Sequence, residues 1–146
     1  MRLEAHLSFP GTCAEAFAFY QSILGGEITA MFRYGDAPGD MQGDPATKDY
    51  VMHAYLQIGD AAIMGADAPP QFQSKPQGFC VNIQAADVAE AQRIWGGLSE
   101  GAKAIQMPLA PTFWSPMFGM LIDKYDQPWM VNTTPDAAFM AANAPM

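Results

Sequence analysis

The five residues Thr12-Cys13-Ala14-Glu15-Ala16 return 75 positions later as Asp87-Val88-Ala89-Glu90-Ala91. In both, a short polar residue stands three places before a glutamate. That spacing predicts a helix start in which cap oxygen and glutamate satisfy each other's free amides. Helical apolar spacing follows in each copy: Ala16, Phe17, Tyr20, Ile23 and Leu24, then Ala91, Ile94, Trp95 and Leu98. Each run ends near glycine, at Gly25-Gly26 and at Gly96-Gly97 or Gly101.

Working outward, a second correspondence lies at an offset of 66, where Val51–Asp67 falls over Met117–Thr133. Each segment reads as two strands around a turn, Gly59-Asp60 in one and 125–128 in the other. Short strands precede the helices at residues 3–9 and 79–84, and weaker ones follow near 28–32 and 104–107. The chain therefore reads as a duplicated β-α-β-β-β unit. Module one spans about residues 1–67, a Pro-rich linker 68–78, module two 79–133, and an Ala- and Pro-rich tail 134–146. The tail is expected to fray or to form one short helix.

Alternation along the strands separates two faces. Leu7 and Phe9 oppose His6 and Ser8; Ala54 and Leu56 oppose His53, Tyr55 and Gln57. In the second half Val81 and Ile83 oppose Cys80, Asn82 and Gln84, and Phe118, Met120 and Ile122 oppose Met117, Gly119 and Leu121. One face suits packing under the helices. The other is expected to line a ligand cup formed by His6, Ser8, His53, Tyr55, Gln57, Met64, Cys80, Asn82, Trp114, Met117 and Met130. A solvated sheet face or a subunit interface is the plain alternative.

Composition narrows the function classes. The 146 residues suit one domain, and half of them are hydrophobic. Fifteen acidic residues against seven Lys and Arg give a net charge of -8, which opposes binding to nucleic acid or to an anionic membrane. No apolar run reaches the ~20 residues of a membrane span, and residues 1–4 show no signal-peptide core, so a cytoplasmic protein is expected. Two cysteines make no disulfide framework. Cys13, at a helix start, reads as small filler rather than as a nucleophile. Glu4, His6 and His53 are the candidate acid–base groups. The acidic loop 35–49 lacks EF-hand spacing and reads as a solvated loop, with a lid as the alternative. The turn Phe9-Pro10-Gly11-Thr12 has one glycine, unlike the Gly-rich turns that cradle nucleotides or S-adenosylmethionine.

The segments Ser8–Glu27, His53–Asp67 and Thr112–Asn132, together with the strand ahead of Asp87, resemble the vicinal-oxygen-chelate superfamily. Within it the chain is similar to the PhnB-like, or 3-demethylubiquinone-9 3-methyltransferase-like, branch of glyoxalase/bleomycin-resistance proteins. The resemblance implies an α+β fold of two tandem βαβββ modules forming a cupped mixed sheet with outer helices, in a homodimer. It implies no single reaction, because the superfamily holds lyases, isomerases, dioxygenases and drug-sequestering proteins. Metal-dependent members place ligands on the first and last strand of each module. The matching positions are His6, Met64, Cys80 or its neighbour Phe79, and Met130. Only His6 is an ordinary ligand for a hard divalent ion, so no metal is expected to be required. A divalent metal held by His6, with His53 assisting, belongs to the alternative reading of a metal-dependent enzyme. The leading expectation is a small organic ligand in the cup; a non-catalytic interaction module is the third reading. The sequence leaves catalysis open.

Overall fold

A computed structural model describes residues 1–144. The chain divides into two compact units, Met1–Lys75 and Pro76–Met146. The break falls inside the proline-bearing segment 68–78.

In the first unit the elements are β1 (Ala5–Phe9), α1 (Cys13–Leu24), β2 (Glu27–Arg33), β3 (Val51–Ile58) and β4 (Ala61–Asp67). The sheet order is β1-β4-β3-β2, with β1 parallel to β4 and the other pairs antiparallel. Between β2 and β3, residues 34–49 form three single 3-10 turns. The second unit repeats the plan with β5 (Val81–Ala85), α2 (Val88–Leu98), β6 (Ala104–Ala110), β7 (Phe118–Ile122) and β8 (Pro128–Thr133), in the order β5-β8-β7-β6. A short helix, α3 (Ala137–Ala142), follows. The duplicated β-α-β-β-β reading is what the chain folds into. The strand after the helix in each module, β2 and β6, weak in the sequence, is seven residues long in both.

Each helix packs on one face of its sheet. Under α1 lie Leu7, Phe9, Leu56 and Val51, all at most 1% exposed, together with Phe17 and Tyr20 of the helix itself. The Phe9, Phe17 and Tyr20 rings meet at 6.1–6.4 Å, within the range of favourable aromatic pairs. Under α2 lie Leu121, Trp129 and Val131, with Ala91, Ile94 and Leu98 from the helix.

A glycine marks the closest approach in each module. A Cβ on Gly65 of β4 would stand 2.6 Å from the Phe17 ring, and one on Gly119 of β7 would stand 2.6 Å from the Trp95 ring. Gly65 pairs across strands with Ala54, and Gly119 pairs with Val131. These pairs are equivalent in the two sheets, yet the glycine sits on opposite strands. Each helix needs one vacant Cβ beneath its aromatic ring, and either strand can supply it.

The helix starts differ from the capping-box expectation in one module. Asp87 caps α2, accepting Glu90 N–H at 2.8 Å. Thr12 makes no side-chain cap at α1. Its place is taken by Asp67, 2% exposed at the end of β4, whose carboxylate accepts from Gly11 N–H (3.0 Å), Cys13 N–H (2.9 Å) and Val51 N–H (2.8 Å). One buried charge thus ties β4 to the start of α1 and of β3, and it meets the positive end of the helix. In module two the turn before β8 holds the comparable knot. Asp123 is fully buried and accepts from Tyr125 N–H, Gln127 N–H and Trp129 Nε1–H at 2.7–3.0 Å.

Candidate functional site

The face of each sheet turned away from its helix carries a cross-strand row set by register. In module one His6 pairs with Met64, Met64 with Tyr55, and Tyr55 with Ala30. In module two Asn82 pairs with Met130, Met130 with Met120, and Met120 with Met107. Directly paired residues share a face. The rows therefore read imidazole, thioether, phenol, methyl in one module, and amide with three thioethers in the other.

Around the first row the side chains are arranged in two groups. The Tyr55 hydroxyl donates to Glu4 Oε1 at 2.8 Å, and Arg2 pairs with the same Glu4 oxygen at 2.9 Å. The carboxylate holding its proton pushes the Tyr55 pKa up from its usual value. On the other side, His53 lies between Phe32, near-parallel at 6.5 Å, and Tyr55 at 6.4 Å. Phe32, His53 and Tyr55 form an aromatic strip over β2 and β3, with Phe32 57% exposed. His6 and Ser8 are exposed on β1. The Gln57 amide is committed to the turn, donating to the Gly59 and Ala61 carbonyls.

In the second module Asn82 is exposed, while Met120 and Met130 are half-buried. Trp114 stands edge-on to Phe118 at 5.3 Å and to Phe113 at 4.9 Å. It covers Phe118, which shares a strand parity with Met120 and is only 7% exposed.

Two expectations need correction. Met117, expected on the polar face, precedes β7, and the parity of that strand is the reverse of the expected one. Gly119 faces Trp95 of α2, so Phe118, Met120 and Ile122 form the open face. The cause is turn length: Ile58 pairs with Ala61 across two residues, whereas Ile122 pairs with Pro128 across five. A constant offset of 66 aligns β4 with β8 but slips β3 against β7 by one, and a one-residue slip exchanges the faces. Cys80 also lies before β5, which begins at Val81, and the residue opposite Met130 is Asn82. Asn82, not Cys80 or Phe79, is the counterpart of His6.

The donor chemistry of these rows tests the fit to a metal. The pairs at the positions expected to carry ligands are His6 with Met64 and Asn82 with Met130. One imidazole, one amide and two thioethers do not make the carboxylate- and imidazole-rich set that zinc, iron or manganese takes. Among the described residues, no three of His, Cys, Asp and Glu come together in a group able to hold a metal ion. His53 lies on β3, two strands from His6.

Other candidates fall into place by burial. Cys13 is fully buried, and burial, with Asp67 beside it, pushes its thiol up to about 12. That is the opposite of an activated nucleophile. No helix among the described residues is long and apolar enough to cross a membrane.

With this geometry in hand, three comparisons place the chain among known proteins. The sequence model of the family described as 3-demethylubiquinone-9 3-methyltransferase matches residues 2–132. Protein YjdN of Escherichia coli is 33% identical over 140 residues, covering 90% of this chain and 95% of that protein. The crystal structure of protein PA1353 from Pseudomonas aeruginosa is 38% identical, with a TM-score of 0.85 over 93% of this chain and 99% of that one. A structure from Bacillus cereus titled as a putative 3-demethylubiquinone-9 3-methyltransferase, PhnB protein, is 27% identical, with a TM-score of 0.74 over 92% of this chain and all of that one. At 8–12% identity, fosfomycin-resistance proteins share the fold alone, with TM-scores of 0.64 and 0.62.

Proposed function

The chain belongs to the 3-demethylubiquinone-9 3-methyltransferase family, and we propose that, as a PhnB-like member of the glyoxalase/bleomycin-resistance superfamily whose fold it shares, it holds a small organic molecule on the open faces of its modules without requiring a hard metal ion. The observation that carries this reading is the in-register row His6–Met64–Tyr55, flanked by the Phe32–His53–Tyr55 strip. Aromatic rings and an imidazole supply stacking surface, and His6, Ser8 and Tyr55 supply hydrogen-bonding groups at one end. The thioethers at the positions expected to carry ligands favour binding over metal-dependent chemistry.

Methyl transfer, the activity in the family's description, finds less support. The β1–α1 turn, where a strand-to-helix junction would meet the charged end of a methyl donor, is closed by the chain's own Asp67 carboxylate. In this reading the protein is cytoplasmic and works as a homodimer. Exposed Phe113 (75%) and Phe72 (72%) supply apolar surface for a subunit contact. Sedimentation as a 15.8 kDa monomer at micromolar concentration would exclude the dimer.

The test uses the fact that the chain's two histidines, His6 and His53, both stand on the open face of module one. Their ring-proton resonances are followed while indole, catechol and 4-nitrophenol are titrated in, and again with one equivalent of zinc, manganese or nickel. The reading expects saturable shifts with an organic probe and no stoichiometric metal uptake by native mass spectrometry. Uptake of one ion per chain, lost in His6→Ala, would overturn it, as would a flat response to every organic probe.

A further inference from the structure

We propose that module two carries its own binding site, a groove beside its thioether row that takes an uncharged, flat, largely apolar molecule with one small polar end. The proposal rests on the reading above that open faces hold organic ligands, and it adds a second site and a ligand class. Three observations support it.

The groove has a volume of ≈ 410 Å³, within the range of small-ligand sites. Its walls include Phe79, Cys80, Gln106, Met120, Ile122 and Pro128. Met120 is the shared member of groove and row, and the row places Met107, Met120 and Met130 on three neighbouring strands in direct register. Thioethers are polarizable, adapt their rotamers to a ligand's shape and contact ring edges favourably. Met120 in the groove wall beside Phe79 suits a flat conjugated body, with Met107 and Met130 next to it along the row.

Charge then selects the ligand. None of the lining residues is a carboxylate, an ammonium or a guanidinium. An ionised ligand would give up water there without a counter-charge. The chain's net charge of -8 adds a long-range penalty for anions. The only lining side-chain amides are those of Gln77 and Gln106, which offer donors and acceptors for a single hydroxyl or carbonyl. Module one differs in kind, since its row presents an imidazole and a phenol.

The sequence separates the reporters of the two modules. Both histidines lie in the first, while Trp95, Trp114, Trp129 and the groove cysteine lie in the second. Cys80 is half-buried and Cys13 is fully buried, so Cys80 is the thiol a reagent reaches. The probe is N-phenyl-1-naphthylamine, which is uncharged and brightens in apolar sites. We expect a single saturable site, and reaction of Cys80 with Ellman's reagent slowed about tenfold at saturation.

Met120→Leu should keep the affinity, and Met120→Gln should weaken it about tenfold. Gln106→Glu, at an exposed position of β6, should weaken it to a similar degree. The anionic 1-anilinonaphthalene-8-sulfonate should bind about tenfold more weakly than the neutral probe. Unprotected Cys80, or wild-type affinity in both Met120→Gln and Gln106→Glu, would overturn the site. Equal binding of the anionic probe would overturn the ligand class. If the neutral probe shifts the His6 and His53 resonances and leaves Cys80 unprotected, the groove fails while the broader reading stands.

Discussion

Asp67, at the end of β4, accepts the backbone N–H of Cys13 at 2.9 Å, across 54 residues of sequence. The same carboxylate holds Gly11 and Val51, so three chain segments converge on one buried anion. Asp67→Ala leaves three donors facing an apolar hole. Hydrogen bonds to a charged acceptor contribute about 1.5–3 kcal/mol each and do not add fully, so a loss of about 3–5 kcal/mol is expected. Urea denaturation should show a lower midpoint at unchanged slope. A loss below about 1 kcal/mol would mean that water replaces the carboxylate.

Cys13 makes stability pH-dependent at the alkaline end. Its folded pKa, about 12, lies above the usual 9.0 because burial and then Asp67 disfavour the thiolate. The unfolded chain therefore loses this proton first as pH rises, and the contribution present below pH 9.0 is lost between there and about 12. Comparing Cys13→Ala with the parent, the difference in unfolding free energy should shrink across that window. Parallel curves would show that the thiol is not buried as described.

Tyr55 should be a late-titrating tyrosine, because Glu4 accepts its proton and repels the phenolate. Glu4→Gln removes the repulsion, so its phenolate should form at lower pH. Tyrosine ring-carbon NMR shifts read this directly, and an unmoved midpoint would disconnect the pair.

The two vacant Cβ positions set a packing limit. Gly65→Ala and Gly119→Ala each place a methyl 2.6 Å from an aromatic ring, with backbone atoms at 3.2 and 3.1 Å closing the other side. Overpacking of this kind costs about 1–3 kcal/mol. Pairing Gly65→Ala with Phe17→Leu should recover part of the loss, giving a coupling of about 0.5–3 kcal/mol in a double-mutant cycle. Strict additivity would show that the two residues do not press on each other.

Much of this architecture was legible from the chain. Helix periodicity, strand alternation in β1 and β3, and the duplicated order follow from local apolar spacing, which tertiary contacts reinforce. Two features were not. The face of β7 depends on whether a turn spans two residues or five, and composition around Tyr125 and Asp126 does not reveal this. Asp126 adopts φ +67, a left-handed conformation that a sequence reader expects at glycine. Local capping rules point to Thr12 for α1, whereas the residue that accepts its first amides is 54 positions away from Cys13. The rows His6–Met64–Tyr55 and Asn82–Met130–Met120–Met107 needed register, since residues far apart in sequence become neighbours only when pairing is fixed. The residue types were visible; their alignment was not.

The opposite placement of the two vacancies bears on how such a duplicated chain can change over time. A hybrid joining the Ala54 strand to the Val131 strand would have no gap for the ring above it. The reciprocal hybrid, Gly119 against Gly65, would leave a hollow. Exchange of single strands between the halves is thereby blocked, and the two copies are free to diverge in what they bind while each remains locked to its own helix.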